Sequence, residues 1–304
     1  MHLASKVISM IPLNFVRIVI LASLNLACVA AVSAQTIGFQ RESEVGVVTL
    51  PGKEGQEPLL FEGVDPCVSQ DGKWIAYTEM DSEGARFIAV GEVATGKKRR
   101  VAGIPGDNSY APQWSPDGKT LTFDHFLTDD WVVGQVNVEG GGFRMLKGLP
   151  VKVSSHAWSP DGKRLLCQDM EKLFWVDVQD WSKPVVKEIP QPEKVEGLNS
   201  ASKLAVSPDG KSALVAMEVP PGPEQEYPPT AIFLVDLETG EFTRLTAKGV
   251  EGADPSWLPD GKNYLFSFFG EVPEIHMAEA KPGAVSKRLL EHATQPSVAT
   301  EIRD

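Results

Sequence analysis

Cysteine is close to absent from this chain: there are three, Cys28, Cys67 and Cys167. Cys28 lies in an apolar leader, so two remain in the body of the protein. These two fall in different columns of an internal repeat, two repeats apart. An intramolecular disulfide needs Cα atoms within about 7 Å, which that separation argues against, and Cys167 reads as a small core residue. Positive charge is also short. Beyond residue 34 there are 27 basic against 41 acidic residues, a net charge of −14. That balance argues against nucleic acid and anionic membrane as partners and leaves neutral, cationic or metal-bridged ones. No Gly-x-Ser-x-Gly elbow, His-Glu-x-x-His pair, phosphate loop or dinucleotide fingerprint occurs, which excludes the enzyme classes that such local motifs mark.

Long apolar runs are confined to the N-terminus. Residues 1–34 carry Lys6 and Arg17 without an acid, then an apolar stretch over 18–32, then Val32-Ser33-Ala34 ahead of Gln35. This is the pattern of a secretory signal peptide cleaved after Ala34. The stretch is short for a bilayer span, which takes about 20 residues, so no transmembrane segment is expected in the mature chain and the location is periplasmic or secreted. Met10 is an alternative start. Asn25 stands where a lipoprotein signal has an aliphatic residue, which argues against lipidation of Cys28.

What the chain has in abundance is repetition. Pro112-Gln113-Trp114-Ser115-Pro116-Asp117-Gly118-Lys119 recurs with variations around Asp71, Asp161, Asp209 and Asp260, at spacings of 46, 44, 48 and 51 residues. Such periods mark propellers or solenoids. In each Ser-Pro-Asp-Gly turn Pro presets φ, Asp bonds the following backbone and Gly takes the left-handed conformation. The five Asp residues are therefore structural, and no second carboxylate sits at the spacing of a calcium loop. Short apolar runs follow each turn and are joined by hairpin signals, giving four strands per repeat, which is one propeller blade. Trp114, Trp158 and Trp257 are expected to pack between blades.

Five phrases predict six blades. Residues 295–300 match the opening of a repeat, while 36–40, 45–50 and 58–62, with turns at 41–44 and 52–56, supply the second to fourth strands of a blade lacking its first. The predicted fold is all-β, a six-bladed propeller of four-stranded antiparallel blades closed by N- and C-terminal strands sharing one blade. Residues 35–304 allow about 45 per blade, and the propeller is expected to fill them.

The candidate site lies where the innermost strands begin, at the channel mouth. Six positions before each Asp stand Asp65, Ala111, Ser155, Lys203 and Asp254, with Gln295 in the closing blade. Tyr110 and His156 flank this ring, and His292 is just upstream of Gln295. Asp65, His156, Asp254 and His292 form one possible metal or acid–base set; the competing reading is a solvated mouth of unrelated polar groups. His125 and His276 are isolated in the sequence and are assigned no chemistry. The loops on this face vary, as binding loops on a regular scaffold do. They include the proline-rich stretch 218–229 with Tyr227, and Trp131. They are acidic, gathering Glu79, Asp81, Glu83, Asp124, Asp129, Asp130, Asp169, Glu171, Glu224, Glu226 and Glu271.

The segments around Trp114 and Trp257 resemble the WD40-like, or PD40, repeat of the TolB propeller family. The resemblance spans the mature chain. It implies an exported propeller that works by contact with a protein or glycan in the cell envelope, without catalysis or cofactor, as a monomer. TolB carries an additional α/β domain for which this sequence has no residues. The same repeat also occurs beside serine peptidases and in oligogalacturonate lyases, which use mouth histidines and a divalent metal. The alternative reading is therefore a metal-assisted carbohydrate lyase or hydrolase.

Overall fold

Each Asp-Gly phrase forms the tight turn between the first two strands of a blade. The structure is a computed structural model that describes residues 35–51, 57–127, 130–149, 152–223 and 225–300. The leader, the expected turn at 52–56, Asp129 and Glu224 fall outside those residues. The first sheet begins with β1 (Gln35–Arg41), β2 (Glu44–Leu50) and β3 (Leu59–Glu62). Blade two holds β4 (Val64–Val68), β5 (Trp74–Met80), β6 (Arg86–Glu92) and β7 (Lys98–Arg100); blade three holds β8 (Ser109–Trp114), β9 (Thr120–Leu127), β10 (Asp130–Asn137) and β11 (Arg144–Met145). Blade four comprises β12 (Ser155–Trp158), β13 (Arg164–Gln168), β14 (Leu173–Asp177) and β15 (Val185–Glu188). Blade five comprises β16 (Leu204–Val206), β17 (Ser212–Glu218), β18 (Thr230–Asp236) and β19 (Phe242–Arg244). Blade six has β20 (Gly252–Trp257), β21 (Asn263–Phe269), β22 (Pro273–Glu279) and β23 (Lys287–Glu291), and β24 (Thr294–Val298) returns to blade one.

The sheet order β24-β1-β2-β3 makes the C-terminal strand the inner strand of the first blade. Ile37 pairs with Val298 and Gly38 with Ser297, so the ring closes as the repeat count requires, and no free inner edge is left. The described residues contain no helix, and so none long and apolar enough to cross a membrane.

The core lies between blades. Val45 and Phe61 of blade one pack on Val68, Ile75 and Tyr77 of blade two, and Val90 and Ile88 pack on Trp114, Leu121 and Phe123 of blade three. The series continues around the ring to Leu258, Leu265 and Ile275 of blade six, which meet Ile37 and Phe39 of blade one. Burial of these apolar faces contributes about 25 cal/mol per Å² at every seam, so each blade depends on its neighbours.

The turns show why Ser and Asp recur. Ser159 Oγ donates to Asp161 Oδ1 at 2.6 Å, accepts from Arg164 N–H at 3.0 Å, and Asp161 also takes Lys163 N–H at 3.1 Å. The same set occurs at Ser69–Asp71, Ser115–Asp117 and Ser207–Asp209. The serine hydroxyl and the lysine N–H hold Asp161 and Asp209 below the usual carboxylate range. In blade six Leu258 replaces the serine, and Asp260 instead accepts from the N–H groups of Lys262 and Asn263. Trp114 and Trp257 are buried and donate Nε1 to Cys67 O and Ala205 O of the preceding blade, at 2.9 and 3.0 Å. Trp158 departs from this: it is half-buried and donates to Thr122 Oγ1. Cys67 and Cys167 are both free.

Candidate functional site at the channel mouth

At the mouth the inner strands do not run straight. Asp65, Ala111, Asp254 and Gln295 all take positive φ, between 50 and 56°, and the strand pairing shifts register beside each of them. Each is a bulge that re-aims the residue at the ring's opening. Ser155 and Lys203, the other two members of the column, lack it. Three bulges are held by the blade before them: Asp65 N–H donates to Gln40 Oε1, Ala111 N–H to Thr78 Oγ1 and Gln295 N–H to Ser267 Oγ. The acceptors occupy one column of the second strands, and the hydroxyls of Thr78 and Ser267 in turn anchor mouth carboxylates. Thr78 Oγ1 donates to Asp65 Oδ2 at 2.9 Å and Ser267 Oγ to Asp254 Oδ2 at 2.8 Å.

In blade three that column holds Asp124, and the opposing residue is His156. The imidazole is 2% exposed. Its Nε2 lies 3.0 Å from Thr122 Oγ1, which already accepts the Trp158 indole N–H. One hydroxyl thus holds both the imidazole and the indole. Nδ1 faces Asp124 Oδ1 at 3.4 Å but makes no hydrogen bond. Both nitrogens are turned into the protein, which leaves neither for substrate. Lys203 Nζ reaches Asp254 Oδ1 at 3.5 Å. His292 is exposed, with its carbonyl taking Arg41 Nε. Asp65, His156 and Asp254 thus have separate partners, the His292 side chain is exposed, and no group of three or more His, Cys, Asp or Glu able to hold a metal occurs among the described residues. Nothing in this geometry supports the lyase reading. Cys67 lies at the next level of the inner strands, and burial pushes its thiol up to about 11, far from nucleophilic character at neutral pH.

The other histidines are placed. His125 is fully buried, with Nδ1 2.9 Å from Ser109 Oγ, and burial lowers its pKa. His276 is not isolated: it sits between Ser286 Oγ at 2.9 Å and Glu274 Oε2 at 2.7 Å, and Arg288 shares the same carboxylate. This chain fastens the connection into β23, on the outer strands of blade six.

The loop face is less acidic in effect than its composition. Glu79 pairs with Arg100 and Asp130 with Lys152, while Asp81 and Asp169 accept from backbone N–H groups of their own turns. Its prominent feature is aromatic. Trp131 lies edge-on to Tyr110 at 5.2 Å and against Phe126 at 5.0 Å between ring centroids, yet stays 37% exposed. Arg86 stacks over Tyr110 at 4.3 Å and over Trp131 at 5.4 Å, and its Nε donates to Asn108 Oδ1. Burial raises the Tyr110 phenol, and the carboxylates of Asp124 and Asp65 push the same way against Arg86. Tyr227 stands apart, 74% exposed, in the long loop that Val219 N–H and Pro229 O tie at its base. Of the sequence candidates, the fold brings Lys203 to Asp254 and Tyr110 to Trp131. Arg86 went unread because it belongs to no repeat column, and Phe126 because its column, nine residues after the turn Asp, also holds Met80, Met170, Glu218 and Phe269.

Fold and mouth together define a six-bladed propeller with a polar, bulged opening and one aromatic corner. No family model matches the chain. It is 30% identical over 208 residues to the uncharacterized peptidase YuxL of Bacillus subtilis, a match covering 67% of this chain and 29% of that protein. It is 37% identical over 65 residues to the Tol-Pal system protein TolB of Alcanivorax borkumensis, covering 21% of this chain and 14% of that one. The chain therefore spans less than a third of the length of either curated relative. Among solved structures, TolB from Acinetobacter baumannii superposes with a TM-score of 0.66 at 17% identity, over 88% of this chain and 66% of that one. That likeness establishes a TolB-like propeller fold.

Proposed function

We propose that this chain is an exported, non-catalytic propeller of the PD40 type that holds a polypeptide partner of the cell envelope on its loop face. The observation that carries the reading is the exposed Trp131–Tyr110–Phe126 cluster with Arg86 stacked on it. Trp, Tyr and Arg are the residue types that dominate binding energy at interface centres. A leader with Lys6 and Arg17 ahead of an apolar stretch supports export. The test is site-specific photocrosslinking in the native envelope, with a benzoyl-phenylalanine at position 131 and a control at position 211 on the opposite, turn-bearing face. A single partner captured from 131 and absent from 211 is expected; equal capture from both, or none, would overturn the reading.

A second reading rests on the 208-residue match to a peptidase: a propeller that screens peptides for a hydrolytic domain. Its test is binding of short unstructured peptides by the purified chain, with a folded protein as control; equal binding of both, or of neither, would overturn it.

A further inference from the structure

Met80, Arg86, Asn108, Phe126 and Trp131 form one unbroken row across the seam of blades two and three. Met80 pairs with Arg86 at the end of β5 and β6, and Arg86 bridges to Asn108 in the linker. Phe126 N–H donates to Asn108 O, and Trp131 pairs with Phe126. Backbone pairing therefore fixes the row across two blades. Met80, Phe126, Leu127 and Trp131 leave it 36 to 44% exposed, so a continuous band of apolar side chains faces solvent at this seam.

Beside the band lies an open pocket of about 430 Å³ lined by Glu83, Gly84, Ala85, Arg86, Asp107 and Asn108. Glu83 and Asp107 are exposed, and among the described residues neither makes a salt bridge, in contrast to Glu79 and Asp130 nearby. Arg86 stands between pocket and band. Its stem is fixed by the Asn108 bond and its face by two rings, so it works as a rigid partition.

We infer that this corner takes an extended basic segment of the partner. One Lys or Arg side chain enters the pocket between Glu83 and Asp107, and an apolar or aromatic side chain lies on Met80, Phe126 and Trp131. Charge complementarity selects this occupant. The pocket lining sets the two carboxylates of Glu83 and Asp107 against the one guanidinium of Arg86, whose face is covered by Tyr110 and Trp131, and a net charge of −14 beyond residue 34 opposes an acidic segment or a second copy of the chain. The inference rests on the binding reading above and adds the chemistry of the partner.

The test is fluorescence polarisation with three labelled peptides of one length: lysine and leucine spaced by alanine, the same with glutamate for lysine, and the same with serine for leucine. The lysine–leucine peptide is expected to bind, more weakly as salt rises, and each of the other two to lose about tenfold or more. Glu83→Gln with Asp107→Asn should weaken that peptide by about tenfold with an unchanged melting curve, because both side chains are exposed, and Trp131→Ala should weaken it by about tenfold in a chain that still unfolds cooperatively. Equal binding of the glutamate peptide, no binding of the lysine–leucine peptide, or unchanged affinity in both variants would overturn the inference. Self-association abolished by Trp131→Ala would overturn it in favour of a second copy. If position 131 captures its partner while the lysine–leucine peptide fails, only the partner chemistry falls; if position 131 captures nothing, the binding reading falls with it.

Discussion

The two ends of the propeller are built from the same strands by opposite rules. At the turn end a Ser–Asp–Lys hydrogen-bond set is repeated at four blades with distances that agree within 0.1 Å for the Ser–Asp bond. At the mouth end the equivalent column reads Gln40, Thr78, Asp124, Gln168, Ala216 and Ser267, five residue types in six blades. Three of those residues still perform one task, accepting the N–H of the next blade's bulge. Repetition at one end secures the architecture, and variation at the other is where the molecule acquires an individual surface.

The comparison breaks first at the closing strand. Deleting residues 294–304 removes β24, with buried Val298 and Ala299 and the Ser297 Oγ that accepts Val68 N–H. The expected result is a melting temperature lower by about 10 °C or more, or loss of a cooperative transition altogether. Calorimetry of the truncated chain checks it, and an unchanged melt would mean the ring does not depend on its shared blade. A smaller effect is expected at the latch. Thr78→Val removes from a fully buried site the hydroxyl that serves both Asp65 and Ala111 N–H, at a cost of about 1–3 kcal/mol in denaturant unfolding. The same change should lower capture at position 131, since Ala111 carries the chain from Tyr110.

The smallest effect sharpens the turn end. The Asp161 and Asp209 carboxyls are held below their unfolded value by serine and backbone donors. A depressed acid stabilises the fold above the unfolded pKa, near 4, and loses that contribution as pH falls through the folded value. Stability should therefore be flat from neutral pH to about 4 and decline below it. Ser159→Ala with Ser207→Ala should make the decline shallower, and a melting temperature followed from pH 6 to 3 measures it. An unaltered profile would assign the acid loss to other carboxylates.

The fold was legible because its signal is carried by residues with a single use. An Asp and a Gly at left-handed φ, with Pro before them in four of five cases, recur between the first two strands of five blades, and counting them with the terminal half-repeats gives the ring and its closure. The site was legible only in part. Trp131 and the mouth column could be named from position, but Arg86 reaches Tyr110 across a linker and through cation–π geometry that no spacing encodes. Trp158 shows the limit from the other side: it occupies the packing column, yet His156 in place of proline brings Thr122 within reach, and the indole turns to that hydroxyl. Asp65, His156, Asp254 and His292 look like a ligand set in the sequence because all stand near the mouth, whereas Asp65, His156 and Asp254 are claimed by their own neighbours.

The pairing of β1 with β24 also sets a timetable. Ile37 meets Val298 across about 260 residues of chain, close to the longest loop this sequence can close, and such non-local contacts form late. Until they do, β1 presents an uncovered inner edge, the kind of strand that recruits a foreign one. The interval between the appearance of β1 and the arrival of β24 is when the chain is most open to capture by another strand.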